Sequence, residues 1–229
     1  MRPETGFDDP AMVARYAEGP PRFVPGYAAL QTMTRLLLAE RVPEEGRVLV
    51  LGAGGGLELK AFAEAHRGWS FDGVDPAAPM LDLAARTLGP LGVRARLTQG
   101  YVGDAPEGPF DGATCLLTLH FMDRAERRRT AAEIHRRLRP GAPYVIAHLC
   151  FPQGEGDEGD RALWLSRHEA FLAAAGLDAE KAASTRKAID TRTHILAPAE
   201  DETILRDAGF SKVSLFYASF SFRGWVATA

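Results

Sequence analysis

Residues 48–56 read Val-Leu-Val-Leu-Gly-Ala-Gly-Gly-Gly, and this stretch decides the fold. Residues 47–51 form a short apolar run with valine at two positions, which is typical of a buried strand. The glycines follow this run directly. Residues 57–66 then place Leu59 and Phe62 on one face, which predicts a helix. Strand, glycine turn and helix in this order indicate the opening of a nucleotide-binding βαβ unit.

The glycine turn has the composition of a ligand-binding loop. Gly52 and Gly54 allow the backbone to turn tightly and to approach a ligand where a Cβ atom would clash. Asp75 ends the next apolar run, residues 69–74, and lies about 20 residues beyond Gly56, where an acid holds ribose hydroxyls in nucleotide sites. We expect a bound nucleotide rather than an empty turn, because the sequence gives no structural reason for this acid.

Position 57 separates two kinds of nucleotide site. The dinucleotide fingerprint G-x-G-x-x-G requires a glycine there, and this chain has Leu57. A Gly-x-Gly-Gly-Gly turn without that glycine is nearer to the sites of S-adenosylmethionine (SAM). SAM has no pyrophosphate, so it does not need a helix N-terminus as an anion site.

The composition is that of an ordinary soluble globular protein. Of 229 residues, 46% are hydrophobic and 25% charged, so we expect one domain over residues 1–229 with a large core. The net charge of −3 gives no sign of nucleic-acid binding. Cys115 and Cys150 lie in apolar runs without metal-ligand spacing, so we expect free thiols, no metal site and a reducing cytoplasm. No signal peptide or membrane span is visible. The sequence leaves open whether the protein forms a homodimer.

The rest of the chain alternates strands and helices. This alternation predicts an α/β fold: a mainly parallel seven-stranded sheet with an antiparallel C-terminal strand pair and helices on both faces. Helices are predicted at residues 28–41, 78–88, 124–138, 160–175, 178–190 and 198–208, and further strands at 93–98, 110–119, 144–149, 212–218 and 221–227.

Two segments lie outside this alternation. Residues 1–26 are rich in proline, glycine and charge, and we expect an irregular or partly helical arm that packs through Phe7, Tyr16 and Phe23. Residues 153–196 begin with a polar, glycine-rich loop and follow the fifth strand at the ligand edge of the sheet. We predict that this cap covers the cofactor cleft and forms the acceptor pocket.

The predicted helix at residues 124–138 is strongly basic. It could be an RNA-facing patch or a solvated helix face, and the interleaved Glu126 and Glu133 favour the solvated face. The arginines concerned are Arg127, Arg128, Arg129, Arg136, Arg137 and Arg139.

Several motifs resemble one family. Five βα units followed by a late helix and an antiparallel strand pair resemble a class I SAM-dependent methyltransferase with its Rossmann-like fold. Within that group, the chain is similar to the carboxy-S-adenosylmethionine (carboxy-SAM) synthases, which convert SAM and prephenate to carboxy-SAM for tRNA wobble-uridine modification. The resemblance runs over most of the chain, from Phe7 to the end. Its motifs are VPGY at 24–27, QTM at 31–33, AER at 39–41, TLHF at 118–121, LRPG at 138–141, AGF at 208–210 and FYASFSF at 216–222.

The resemblance implies a set of cofactor-binding residues. Gly52, Ala53 and Gly54 would line the methionine part of SAM, and Asp75 would bond the ribose hydroxyls. The other implied contacts are Pro76 and Met80 beside the adenine, Gln99, Gly100 and Tyr101 after the third strand, Leu117 and Thr118 after the fourth strand, and Tyr27 from the arm.

Three positions depart from the family pattern. Tyr101 replaces an acid that would bind the adenine amino group, and Leu116 replaces an asparagine. Ile204 aligns with the arginine that pairs with the carboxylate of carboxy-SAM, and an isoleucine cannot hold a carboxylate. Arg206 points about 200° round the same helix and should not substitute. We therefore expect ordinary SAM as cofactor, with S-adenosylhomocysteine (SAH) as product, and no carboxy-SAM synthesis.

The predicted reaction is methyl transfer to a small-molecule or RNA acceptor, with tRNA left open. Methyl transfer from a sulfonium needs alignment and exclusion of water, and a general base only if the acceptor must lose a proton. His120, His148 and His168 are candidates for that base, although a lone histidine is more often structural. The alternatives are a carboxy-SAM synthase-like enzyme, a nicotinamide-dependent oxidoreductase and a SAM-binding protein without catalysis.

Overall fold

The computed structural model describes residue 13 and residues 16–153 and 158–229. The predicted role of Phe7 and most of the predicted arm before Tyr16 therefore lie outside the described residues, as does the centre of the loop at 154–157. Within the described part of the chain, no helix combines the length and the apolar character needed to cross a bilayer.

One mixed sheet of seven strands confirms the predicted fold. Its order is β3-β2-β1-β4-β5-β7-β6. Strands β1 to β5 run parallel, and β7 lies antiparallel between β5 and β6. The strands are β1 (Arg47–Leu51), β2 (Ser70–Asp75), β3 (Ala95–Gln99), β4 (Gly112–Leu116), β5 (Pro143–Leu149), β6 (Ser211–Ser219) and β7 (Phe222–Thr228).

Helices cover both faces of the sheet. One hydrophobic cluster joins α2, α3 and α4 to one face, and a larger cluster joins α5 and α8 to the other. The helices are α1 (Gly19–Phe23), α2 (Tyr27–Ala39), α3 (Leu57–Ala65), α4 (Ala78–Leu88), α5 (Arg124–Arg137), α6 (Glu158–Ala174), α7 (Ala179–Arg192) and α8 (Pro198–Asp207). Short 3-10 helices occur at Tyr16–Glu18, Gly89–Arg94, Val102–Asp104 and Leu119–Phe121.

The fourth strand is shorter than predicted. The apolar run suggested a strand over residues 110–119, but β4 ends at Leu116. Leu117 has a φ of 57°, in the left-handed region that residues with a side chain seldom adopt. Its backbone N–H still reaches the Ala147 carbonyl, so the chain leaves the sheet abruptly at the edge where open α/β folds bind ligands. Strain of this kind is typical of functional sites.

The basic helix α5 is less exposed than its composition suggested. Arg127 and Arg137 are buried, so the prediction of an exposed face was wrong for these two residues. Three outer arginines are ion-paired, because Arg124, Arg128 and Arg136 meet Glu200, Asp207 and Glu107 respectively. This pairing favours the solvated, structural face over an RNA-facing patch.

Candidate functional site

The glycine turn joins β1 to α3 by backbone conformations that suit glycine. Gly52 has a φ of 76° and Gly54 a φ of 49°. A Cβ atom on Gly52 would collide with Oγ1 of Thr118, which lies just beyond β4. The turn is held to β2 because the N–H groups of Gly52 and Ala53 both donate to the Val74 carbonyl. The two glycines therefore form a compact backbone cradle against Thr118.

Asp75 closes this cradle from the end of β2. Its Oδ2 accepts from the Gly54 N–H at 2.9 Å, and its Oδ1 accepts from the Ala77 N–H at 3.0 Å. Asp75 therefore lies against the glycine turn, where the sequence predicts a ribose-binding acid.

The loop after β3 lies beside Asp75. Gly100 donates to the Asp75 carbonyl, and the exposed Gln99 donates to the Pro76 carbonyl. The Tyr101 side chain is exposed, while its N–H donates to Asp104 Oδ2 at 2.8 Å. Sequence reasoning missed Asp104. The family has an acid at the position of Tyr101, and in this chain an acid lies three residues after that position, in the same loop.

The described part of the N-terminal arm packs against the glycine turn and the start of α4. Val13 belongs to a buried cluster with Ala77 and Met80. The Tyr16 ring lies over the glycines, since its hydroxyl is 3.0 Å from the place where a Gly54 Cβ would be. Tyr27, which accepts from Gln31 Nε2 at 2.5 Å, is close enough to Tyr16 to affect it electrostatically. The arm thus brings two phenols to the turn, of which the sequence resemblance assigned only Tyr27 to the cofactor.

Glu58 is a second residue that sequence reasoning missed. It is buried on the first turn of α3, two residues after Gly56, and accepts a hydrogen bond from Thr114 Oγ1 of β4. Burial raises the pKa of its carboxyl to about 8, although the Thr114 hydrogen bond opposes the rise. In the sequence, the only signal for Glu58 was its position as an acid on the first turn of the helix that follows the glycines.

A cavity of about 650 Å³ lies between the arm, the end of β4 and helices α6 and α7. It reaches the cofactor side through Tyr16 and Leu117. The wall is largely apolar, and the charged residues Glu18, Arg22, Asp178 and Lys181 also line it. Its apolar lining residues include Phe23, Val24, Phe121, Leu149, Leu177, Ile189 and Phe222.

Two of the three candidate histidines line this cavity. His120 Nδ1 accepts from the Leu149 N–H at 3.4 Å, so the neutral ring carries its proton on Nε2. His168 Nδ1 lies 2.8 Å from the hydroxyl of the buried Ser221, which leaves Nε2 as the nitrogen available to the cavity. Burial lowers the pKa of both rings, to about 4 for His168, so both are uncharged at neutral pH.

The third candidate, His148, lies outside the cavity wall. It is fully buried in an ionic cluster, where its Nε2 is 2.9 Å from Asp201 Oδ2 and Asp201 Oδ1 is 2.6 Å from Arg127 Nη1. Arg127 also donates to the His194 carbonyl, and the His194 N–H donates to the His120 carbonyl. His148 therefore ties α5 and α8 to the sheet. Within the described ranges, no three acidic, histidine or cysteine side chains form a metal-binding group.

The structure changes the meaning of Ile204. Its side chain is buried in the large cluster between the sheet and helices α5 and α8, beside Tyr144 and Trp225. An arginine at this position would point into the core and not into a ligand cavity. The alignment of Ile204 with the family's arginine was therefore wrong as evidence that this chain cannot bind a carboxylate. Arg206 lies on the outside of α8 and pairs with Glu202 at 2.8 Å.

Comparison with known proteins supports the fold described above. A family profile described as "Methyltransferase domain" matches residues 48–141, from β1 to two residues before β5. The carboxy-SAM synthase of Actinobacillus succinogenes is 25% identical over 220 residues, covering 90% of this chain and 86% of the relative. An O-methyltransferase of Pyrenophora dematioidea is 30% identical over 159 residues, covering 67% of this chain and 57% of the relative.

A solved structure shows the same fold with the cofactor named. Phosphoethanolamine N-methyltransferase 2 of Haemonchus contortus, in complex with SAM, superposes with a TM-score of 0.66 at 13% identity. The match covers 97% of this chain but 59% of that one, so this chain spans little more than half its length. Residues 48–141 therefore match a methyltransferase domain, and the chain as a whole resembles the class I SAM-dependent methyltransferases.

Proposed function

We propose that this protein transfers a methyl group from SAM to a small, largely apolar acceptor bound between the arm and the cap. One observation carries the proposal: the apolar cavity reaches the glycine turn through Leu117 and Tyr16, so an acceptor there would lie beside the cofactor. We also propose that residues 1–229 form one domain, with residues 153–196 as its cap, because α6 and α7 supply part of the cavity wall.

The residues around the turn suit SAM. Gly52, Ala53 and Gly54 would face its methionine part and Asp75 its ribose. The adenine would lie near Pro76, Met80, Gln99, Gly100 and Tyr101, with Leu117, Thr118 and Tyr27 on the remaining sides. When bound, SAM supplies a methyl group on a sulfonium, which needs no further activation.

The remaining work falls to the cavity. Arm and cap exclude water from the acceptor, and the exposed Asp178 and Lys181 at the rim pair with each other at the start of α7 at 3.1 Å. His120 can donate a hydrogen bond from Nε2 to an acceptor oxygen. His168 can take a proton at Nε2 when its Nδ1–H donates a hydrogen bond to Ser221 Oγ, so it is the better base for a hydroxyl acceptor.

A labelled-SAM screen tests the proposal directly. The protein is incubated with methyl-labelled SAM and a panel of small phenols, heterocycles and tRNA, and the label is followed into each fraction. We expect label in a small apolar compound and SAH as co-product. Binding of NADH without binding of SAM would instead indicate an oxidoreductase, and SAM binding with no label transfer to any member of the panel would indicate a non-catalytic binding protein.

Carboxy-SAM synthesis is the second candidate, because the relative from Actinobacillus succinogenes with that name matches 90% of this chain. The buried position of Ile204 gives no argument against it. Among the cavity-lining residues, Arg22 and Lys181 carry the positive charge that a carboxylate would need. Incubation with SAM and prephenate, followed by mass spectrometry, decides between the two. We expect no carboxy-SAM peak, since both cations lie at the rim, exposed to solvent.

A further inference from the structure

Glu58 differs from every other buried acid that the structure describes. Asp72, Asp111 and Asp201 are each within 2.7 Å of an arginine nitrogen, and Asp75 accepts from two backbone amides. Glu58 accepts from the Thr114 hydroxyl, and the ion pairs of the described residues include none with Glu58. Among the described residues Glu58 therefore has no cationic partner, and a buried carboxylate without a cation costs several kcal/mol.

The described groups that face Glu58 do not supply that charge. They are the phenols of Tyr16 from the arm and Tyr27 from α2, together with the Cys115 thiol and Thr114 from β4. Burial raises the pKa of the two phenols and the thiol well above their ordinary values, so all three stay neutral near pH 7. The surroundings of Glu58 are therefore uncharged on three sides.

Glu58 also lies where a cation is expected to bind. It is two residues after Gly56, and Tyr16, which it affects electrostatically, covers Gly54 and Gly55. This is the side of the turn proposed above for the methionine part of SAM, which bears the positive sulfonium. SAH has the same shape but a neutral sulfur.

We propose that Glu58 is a cofactor-binding residue whose carboxylate supplies the negative charge opposite the sulfonium end of SAM, so that the protein distinguishes SAM from SAH by charge. This inference rests on the proposed SAM binding. A cation beside Glu58 favours its ionised form. Because the free carboxyl has a pKa of about 8, SAM binding at neutral pH then releases a proton, and SAM affinity rises with pH until about 8 and is level above it.

Titration calorimetry of SAM and SAH between pH 6 and 8.5 tests the proposal. For the unmodified protein we expect the ratio of SAM to SAH affinity to rise at least about tenfold over this range, because a carboxyl with a pKa of about 8 is almost wholly protonated at pH 6 and mostly ionised at pH 8.5. Glu58→Gln keeps the size and a hydrogen-bonding group, and should give a flat ratio and weaker SAM binding with SAH little changed. Glu64→Gln, an exposed position on the same helix, is the matched control and should behave like the unmodified protein.

Two further measurements remove ambiguities. The amino group of the ligand titrates equally in all variants, so the comparison with Glu58→Gln subtracts it. Thr114→Val removes the hydrogen bond that lowers the Glu58 pKa, and should move the rise in SAM affinity to higher pH even if Glu58→Gln fails to fold. Equal pH dependence for SAM and SAH, or a rise that persists in Glu58→Gln, would overturn the role of Glu58 alone. Failure of every variant and of the unmodified protein to bind SAM would overturn the proposed function itself.

Discussion

The Asp75 carboxylate accepts a hydrogen bond from the backbone N–H of Gly54 at 2.9 Å. The acid at the end of β2 thus fixes the turn at the end of β1, across the parallel pairing of Leu51 with Val74. Sequence reasoning assumed that this acid had no structural purpose, and that assumption was wrong. Asp75 holds the shape of the cradle as well as offering oxygens to a ribose, so a test of its ligand role must preserve the turn.

Asp75→Asn is the variant that preserves it best, because the amide oxygen can still accept from one backbone N–H. Loss of a hydrogen bond to a charged group costs about 1.5–3 kcal/mol, so SAM should bind at least about tenfold more weakly. Calorimetry gives the affinity, and a thermal melt shows whether the fold is intact. Asp82→Asn, an exposed acid on α4, makes the same change in net charge and should leave affinity unaltered. Unchanged affinity in a folded Asp75→Asn protein would remove Asp75 from the ribose site.

Local sequence patterns were sufficient for the strands and helices, and insufficient for their side-chain partners. β1 matched its predicted bounds because an apolar run and the glycine turn after it are signals within a few residues of each other. The pairing of Glu58 with Thr114 joins positions 56 apart in sequence, and that of Arg127 with Asp201 joins positions 74 apart. Spacing in the sequence does not predict such pairs. Only the structure shows that Glu58 has no cation beside it among the described residues.

His168 provides the test of acid–base chemistry in the cavity. Once an acceptor is known, His168→Gln should lower kcat by about 100-fold or more, the usual contribution of a general base, with SAM affinity unchanged. Ser221→Ala should give a smaller loss, because it frees the ring without removing it. Ser184→Ala alters another cavity-lining hydroxyl that donates to the Lys181 carbonyl, and serves as the control.

The pH profile gives an independent reading of the same residue. Because burial lowers the pKa of His168 to about 4, the ring stays neutral and able to accept a proton above about pH 5. The kcat of the unmodified protein should therefore show no acid limb near pH 6.5, where an ordinary histidine titrates. An acid limb near pH 6.5 that disappears in His168→Gln would contradict the burial of this side chain.

Asp201 and Asp207 offer a matched pair for stability. Both lie on α8 and pair with arginines of α5, but Asp201 is buried with Arg127 and Asp207 is exposed with Arg128. Breaking the buried pair should cost about 3–5 kcal/mol of unfolding free energy. Breaking the exposed pair should cost at most about 1 kcal/mol. Urea denaturation of Asp201→Asn and Asp207→Asn measures both, and equal effects would contradict the importance of the buried cluster.

The same cluster has a defined pH window. Burial would raise the pKa of Asp201, but His148 and Arg127 outweigh it and hold the pKa at about 2, below the ordinary 3.8. A lowered acid pKa stabilises the folded state above the unfolded value. Its contribution should therefore be complete above about pH 4 and be lost as the pH falls through 2, and the unfolding free energies of Asp201→Asn and the unmodified protein should converge in acid.

The last prediction concerns closure of the cap over the cofactor. Helices α6 and α7 line the cavity, and the segment after α7 is held to α5 by Arg127 and to the 3-10 helix after β4 by the His194–His120 backbone hydrogen bond. This anchored end leaves the turn at Gly176, with its φ of 91°, as the described place where the cap can pivot. Hydrogen exchange with and without SAH should therefore show increased protection at residues 159–176 together with the glycine turn, while residues 194–201 stay protected in both states. Protection of the glycine turn without any change at 159–176 would show that the cap does not respond to the cofactor. The acceptor pocket would then have to be preformed.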